Sequence, residues 1–200
     1  MRIIAGTHRG RTLLGPADDQ TTRPITDRVK EALFNRLHSL GVLGYGRVLD
    51  VFAGTGSMGL EALSRGAEHC VFVERDRDAA DRLRRNLDTL GIVAARAAVR
   101  QTDALAGVWH LPLEDASVTL VFLDPPYPQA AAGLGPFEPL LTDLRARLEP
   151  GGVTVVRTPA ETAVGALDGY DGPFSATYGG MGLHFYQRPL PNEPGSPPDS

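Results

Sequence analysis

Apolar positions divide the chain into short, alternating elements. From Met1 to Leu14 two extended stretches flank Thr7-His8-Arg9-Gly10, a hairpin signal that Gly15-Pro16 ends. A polar link follows to Thr22. From Thr26 to about Leu40 the residues Val29, Leu33, Phe34, Leu37 and Leu40 recur at helical spacing, and Gly41 sits where a helix stops. Arg47 to Phe52 is a short β-rich run, followed by a glycine loop from Ala53 to Gly59 and a helix through about Arg65. Cys70 to Val73 predicts the second strand, and Arg77 to Leu90, with Ala80, Leu83, Leu87 and Leu90 on one face, a helix closed by Gly91. Ala94 to Thr102 is a weak third strand, because alanine and arginine are poor strand formers.

Val118 to Leu123 is a strong buried strand, Phe137 to Leu148 a helix carrying Leu140, Leu141, Leu144 and Leu148, and Gly152 to Val156 a fifth strand. Such alternation predicts an α/β fold, a parallel sheet covered by helices on both faces. The pattern then changes. Phe174 to Tyr178 and Gly182 to Gln187 flank Gly179-Gly180, a hairpin that adds an antiparallel edge. Pro189 to Ser200 holds five prolines and almost nothing apolar, which predicts a disordered tail. The expected organisation is a basic N-terminal hairpin and helix over residues 1–40, a catalytic domain over 41–188 and a tail over 189–200.

Two hundred residues with 42% hydrophobic content support one such domain with small appendages. Cys70 is the only cysteine, so no internal disulfide is possible, and no Cys/His spacing suggests a metal. The chain turns polar by Thr7, too early for a signal peptide, and no apolar run approaches a membrane span. The expectation is a cytoplasmic protein without membrane or metal. A net charge of -4 weighs against an indiscriminate grip on nucleic acid. Its distribution changes that picture: residues 1–36 hold seven basic side chains (Arg2, Arg9, Arg11, Arg23, Arg28, Lys30, Arg36) against four acids, +3, which leaves -7 for the remainder.

Gly54-Thr55-Gly56-Ser57-Met58-Gly59 follows a strand and opens a helix, and Glu74 ends the next strand. Glycines admit a ligand close to the backbone, the helix start supplies free N–H groups, and a carboxylate there can accept both ribose hydroxyls. Both a nicotinamide cofactor and S-adenosylmethionine carry that nucleoside. Asp50 favours the second, because a carboxylate before the loop suits a cationic ligand and would repel a pyrophosphate; it could also cap the following turn.

Asp124-Pro125-Pro126-Tyr127 directly follows the strand Val118 to Leu123 and so stands at the carboxyl end of the sheet. An exocyclic base amine is conjugated with its ring and is a poor nucleophile. A carboxylate and a backbone carbonyl that accept its two N–H bonds favour a more tetrahedral, more reactive nitrogen. The prolines fix the backbone presenting that carbonyl, and Tyr127 can stack on the base.

On these stretches the chain resembles the bacterial small-subunit rRNA guanine-N2 methyltransferases of the RsmD type. The match includes Met1-Arg-Ile-Ile-Ala-Gly, His8-Arg-Gly-Arg11, Arg23-Pro-Ile-Thr-Asp-Arg-Val-Lys-Glu-Ala-Leu-Phe-Asn35, Leu49-Asp-Val-Phe-Ala-Gly-Thr-Gly56, Gly59 to Gly66, Val71-Phe-Val-Glu74 and Val121-Phe-Leu-Asp-Pro-Pro-Tyr127. The resemblance implies a Rossmann-like, seven-stranded class I methyltransferase sheet, S-adenosylmethionine as donor, and a guanine of 16S rRNA in the small ribosomal subunit as acceptor. It implies further that Asp50, Phe52, Ala53, Gly54, Thr55 and Gly56 hold the methionine half, Glu74 the ribose and Asp103 the adenine, with Arg75 and Ala104 beside them, and that Asp124, Pro125, Pro126 and Tyr127 receive the target base.

Arg9, Arg11 and Arg23 are the expected RNA contacts, and a monomer is expected. Two positions depart from the pattern: an arginine, Arg157, stands where the family carries an acid after the fifth strand, and Phe174 to Gly180 lacks the family's basic residues. A DNA adenine methyltransferase shares the Asp-Pro-Pro-Tyr signature but usually needs a larger recognition region. A nicotinamide oxidoreductase leaves Asp124 to Tyr127 unexplained, and a non-catalytic RNA-binding module leaves the intact cofactor stretch unexplained.

Overall fold

A computed structural model describes residues 1–16, 25–106 and 117–191, so Arg23 and most of the proline-rich tail lie outside the described residues. The elements are α1 (Asp27–Ser39), β1 (Arg47–Val51), α2 (Ser57–Ser64), β2 (His69–Val73), α3 (Arg77–Leu90), β3 (Ala97–Arg100), β4 (Val118–Leu123), α4 (Tyr127–Ala130), α5 (Glu138–Arg147), β5 (Leu148–Pro159), β6 (Asp171–Tyr178) and β7 (Met181–Gln187). Local chemistry sets several ends. The Thr26 side chain accepts the Val29 N–H at the start of α1, Asp76 accepts the Ala79 N–H at the start of α3, and Gly91 closes α3 in the left-handed region.

The strands form one sheet in the order β3-β2-β1-β4-β5-β7-β6. Strands β1 to β5 pair in parallel and β7 runs antiparallel to both β5 and β6. The seven-stranded sheet with its antiparallel edge is the one expected. Strand order reverses between β1 and β4, so the carboxyl ends of these two strands open the crevice in which α/β sheets bind ligands. On one face Leu60, Phe72 and Phe122 pack with Leu33 and Phe34 of α1, Leu83 of α3, and Ile3 and Leu13 of the N-terminal hairpin. The other face joins Leu49, Val121 and Leu123 to Leu140, Leu141 and Leu144 of α5.

The hairpin is bound by buried charge as well as by apolar packing. Glu61 of α2 accepts the N–H groups of Ile4 and Ala5 at 2.8 and 3.0 Å, pairs with Arg65 at 2.8 Å, and lies 3.4 Å from Lys30 Nζ. Lys30, the only lysine, is 1% exposed and donates to the Arg2 carbonyl at 2.6 Å. Burial pulls its pKa down, while Glu61 and Asp27 push it up. Counting Lys30 with the exposed basic charge of residues 1–36 is therefore corrected: its charge is spent inside. Gly6, at φ 82°, lies so near α2 that a Cβ would stand 1.8 Å from the Ser64 carbonyl oxygen.

Several elements differ from the sequence reading, among them the short helix α4, which it did not anticipate. The helix after the glycine loop starts at Ser57, since Gly56 is its N-cap. Strand β5 runs on to Pro159 because Met181 to Leu183 of β7 supply ladder partners for Arg157, Thr158 and Pro159, which puts Arg157 inside the strand rather than after it. Strand β6 begins at Asp171, and Pro173 is tolerated because β6 is an edge strand. Among the described residues no helix is long and apolar enough to cross a membrane, and no group of three or more His, Cys, Asp or Glu could hold a metal.

Candidate active site

The glycine loop bends the chain from β1 into α2. Phe52 adopts φ 61°, a left-handed conformation that costs a non-glycine residue about 1–3 kcal/mol, and its ring packs edge-on against Phe137 at 6.1 Å. Gly54 and Gly56 follow at φ 55° and 89°. A Cβ on Gly56 would come within 2.4 Å of Leu83, and one on Gly59 within 2.3 Å of Phe72, so these two glycines set helix α2 against α3 and β2. The Ala53 N–H donates to the Val73 carbonyl, and the buried Thr55 gives its carbonyl to Asn86 Nδ2 at 2.9 Å.

Glu74, directly after β2, accepts the Gly54 N–H on Oε2 at 2.7 Å and the Asp76 N–H on Oε1 at 2.8 Å. Each oxygen keeps a lone pair for a ligand hydroxyl. Asp103 accepts the Leu105 N–H at 2.9 Å and meets Arg75 at 3.3 Å, while Ala104 is buried at the start of a short 3-10 turn. Arg75, Asp103 and Ala104 are thus brought together beyond the ends of β2 and β3. Ser57 Oγ, at the mouth of α2, is buried with no hydrogen-bond partner among the described residues.

Asp50 is only 1% exposed and accepts the Gly59 N–H at 2.8 Å, so it caps the turn into α2. Burial pushes its carboxyl well above the usual carboxylate range, with the Asp124 and Glu74 carboxylates adding to the rise and the Gly59 N–H opposing it.

Asp124 leaves β4 beside β1, where its N–H meets the Val51 carbonyl at 3.3 Å. The Pro126 carbonyl is taken by the N–H groups of Gln129 and Ala130 in the first turn of α4. The Tyr127 hydroxyl is buried without a partner among the described residues. Asp124 Oδ1 accepts from Arg157 Nε at 2.5 Å, and the Arg157 guanidinium carbon lies 5.6 Å from the Tyr127 ring centroid. Burial raises the Asp124 carboxyl above its usual range, and Arg157 pulls it back down. Tyr127 also lines a cleft of about 480 Å³ together with Pro128, Pro159, Glu161, Thr162 and Gly180.

The predicted site residues Asp50, Phe52 to Gly56, Glu74, Arg75, Asp103, Ala104 and Asp124 to Tyr127 therefore gather at one end of the sheet. Arg9 and Arg11 do not join them. His8 and Arg11 reach Ser64 and Thr89, near the last turns of α2 and α3, so the hairpin tip lies at the opposite end of the domain. One site-supporting residue escaped the sequence reading, and so did the role of another. Asn86 is fully buried and ties Thr55 to both backbone groups of Leu14, yet its only signal was a polar residue on the apolar face of α3. Arg157 was noticed as a departure, but its partner could not be.

A model of the family described as conserved hypothetical protein 95 matches residues 1–187. The chain belongs to this family. Its relatives carry the rRNA name: the ribosomal RNA small subunit methyltransferase D of Haemophilus influenzae is 42% identical over 127 residues, a stretch covering 64% of this chain and 64% of that relative, just under two thirds. The solved structure of the Escherichia coli protein yhhF superposes with a TM-score of 0.76 at 31% identity, over 96% of this chain and 99% of that one. An RNA methyltransferase from Salinibacter ruber, solved with S-adenosyl-L-homocysteine, shares the fold at a TM-score of 0.58 and 20% identity, over 86% of this chain and 99% of that one. The family resemblance and the Rossmann-like fold expected from the sequence are both borne out.

Proposed function

We propose that this protein methylates the exocyclic N2 amine of a guanine in 16S rRNA of the small ribosomal subunit, with S-adenosylmethionine as donor. One observation carries the reading: the glycine loop after β1 and Asp124-Pro125-Pro126-Tyr127 after β4 share the crevice where strand order reverses. The residues present fit a nucleoside donor, because Glu74 keeps acceptor capacity on both oxygens and Ser57 Oγ is buried without a partner among the described residues. When bound, S-adenosylmethionine supplies a methyl group on a sulfonium, open to in-line displacement. Glu74 accepts the ribose hydroxyls, with Arg75 beside it. Asp103 and Ala104 border the adenine. Phe52, Ala53, Gly54, Thr55 and Gly56 line the methionine half, and Asp50 holds the loop from beneath by accepting the Gly59 N–H.

Since the Pro126 carbonyl is engaged within α4, the carbonyl offered beside Asp124 is that of Pro125. Asp124 and Pro125 then accept the two N–H bonds of the amine, Pro126 fixes the turn, and Tyr127 stacks on the base. Methylation of small subunits by the purified protein, read by mass spectrometry of 16S rRNA, tests this. A methyl group on guanine N2 supports it, and methylation confined to adenine N6 in DNA overturns it.

Glu74→Ala is expected to weaken S-adenosylmethionine binding by roughly 1.5–3 kcal/mol for each charge-assisted hydrogen bond lost. Unchanged affinity by calorimetry would remove Glu74 from the site.

The N-terminal hairpin and helix, residues 1–40, form the RNA-contacting part in this reading. Arg9 and Arg11 are exposed at the end of the domain away from Asp124, so they would engage RNA remote from the target nucleotide. Replacing Arg9, Arg11 and Arg23 with alanine is expected to lower the slope of log K against log salt by roughly 2 to 3. Filter binding across a salt series reads this directly, and an unaltered slope leaves the three arginines without a phosphate contact. The protein acts as a cytoplasmic monomer in this reading, without a metal.

A further inference from the structure

Arg157 is 8% exposed, inside a β5 segment whose neighbours Val155, Val156 and Thr158 are buried. A guanidinium taken out of water costs several kcal/mol unless a partner compensates it. Here Nε donates to Asp124 Oδ1 at 2.5 Å, and the guanidinium carbon lies 5.6 Å from the centre of the Tyr127 ring. One buried cation thus touches both the carboxylate and the aromatic ring assigned to the target base. We propose that Arg157 is the positioning residue of the target-base site, holding Asp124 as an anion with one oxygen engaged and the other left to accept the amine. This rests on the methyltransferase reading of the site.

The electrostatics explain why Asp124 needs such a partner. Among the described residues the charged and titratable groups that face it are Arg157 from β5, Asp50 from β1 and Tyr127 from α4. Burial raises the Asp124 carboxyl and Arg157 opposes the rise. The Asp124 carboxylate in turn adds to the rise of the buried Asp50 carboxyl, so the charge held beside Arg157 belongs to Asp124. Without Arg157, Asp124 takes up a proton more readily, and a neutral carboxyl is a poorer acceptor for the amine N–H. The guanidinium beside the Tyr127 ring also fixes the surface on which the base stacks.

The test compares wild type, Arg157→Gln and Arg157→Lys on small ribosomal subunits. It measures kcat, KM for RNA and the pH-rate profile, with S-adenosylmethionine affinity by calorimetry. Turnover by the wild type tests the methyltransferase reading separately, before any variant is compared. For Arg157→Gln, kcat should fall about 10-fold or more with cofactor affinity retained. Its acid limb, where Asp124 takes up a proton, should move to higher pH by about one pH unit or more. Arg157→Lys keeps the charge but not the Nε geometry, so it should hold the limb near the wild-type position with a reduced kcat. A glutamine variant whose limb coincides with wild type overturns the proposal, and so does one that raises only KM for RNA, the mark of a direct RNA contact. If the glutamine variant does not fold, the lysine variant decides: a reduced kcat with the limb in place supports the proposal, and wild-type values of both overturn it.

Discussion

Replacing Asp124 with asparagine should lower methylation by about 100-fold or more while S-adenosylmethionine binding stays near its wild-type value. The amide is nearly isosteric and keeps one acceptor, so the loss reports the anionic acceptor for the amine rather than a collapsed loop. Asp124→Ala should do something further, because it also removes the oxygen that accepts from the 8%-exposed Arg157, which the asparagine amide keeps. Breaking a buried pair by removing one partner costs roughly 3–5 kcal/mol, so this variant should unfold at distinctly lower urea concentration. Turnover by single-turnover assay, affinity by calorimetry and urea midpoints for both variants form the test. Near-normal turnover of Asp124→Asn would sink the assignment of the target-base site, and a urea midpoint of Asp124→Ala equal to that of wild type would deny the pair its structural weight.

Glu61→Ala should have the largest effect on stability. This side chain is fully buried and answers the N–H groups of Ile4 and Ala5, the Arg65 guanidinium and the Lys30 ammonium at once. Its removal leaves the buried Lys30 cation uncompensated and two backbone donors unsatisfied, a loss of roughly 3–5 kcal/mol from a domain whose whole stability is about 5–15 kcal/mol. Residues 1–13 should then exchange their amide hydrogens much faster, Ile4 and Ala5 first. Glu61→Gln separates the two contributions, since the amide oxygen still accepts from the backbone while the charge is gone. An unfolding free energy from urea titration within about 1 kcal/mol of wild type for Glu61→Ala would show that apolar packing alone holds the hairpin.

Several elements were legible in the sequence because their causes are local. Helix α3 runs from Arg77 to Leu90 as its periodicity and Gly91 predict, and β4 runs from Val118 to Leu123 as its unbroken apolar run predicts. The glycine loop, Glu74 and Asp124 to Tyr127 were readable in their order because strand-to-loop junctions in an alternating α/β pattern fall at one end of the sheet. By itself, then, the sequence determined the fold class, the order of the elements and which residues gather at the crevice, since periodicity, turn chemistry and chain order act within a few residues of one another.

Tertiary structure alone decided how charge is spent. Lys30 looked like part of a basic surface and is buried against Glu61, 31 residues further along the chain. Asp50 reads in the sequence first as a group for a cationic ligand and only second as a cap, and only the meeting of β1 with α2 gives its carboxylate to Gly59. Arg157 stood out as a departure, but nothing in its neighbourhood of sequence named Asp124, 33 residues away, as its partner. Arg9 and Arg11 likewise belong to a basic segment whose composition says nothing of which end of the sheet it covers. Packing sets these outcomes because a buried charge is stable only beside a compensating group, and which group stands beside it depends on strand order and register rather than on the residues next to it in the chain.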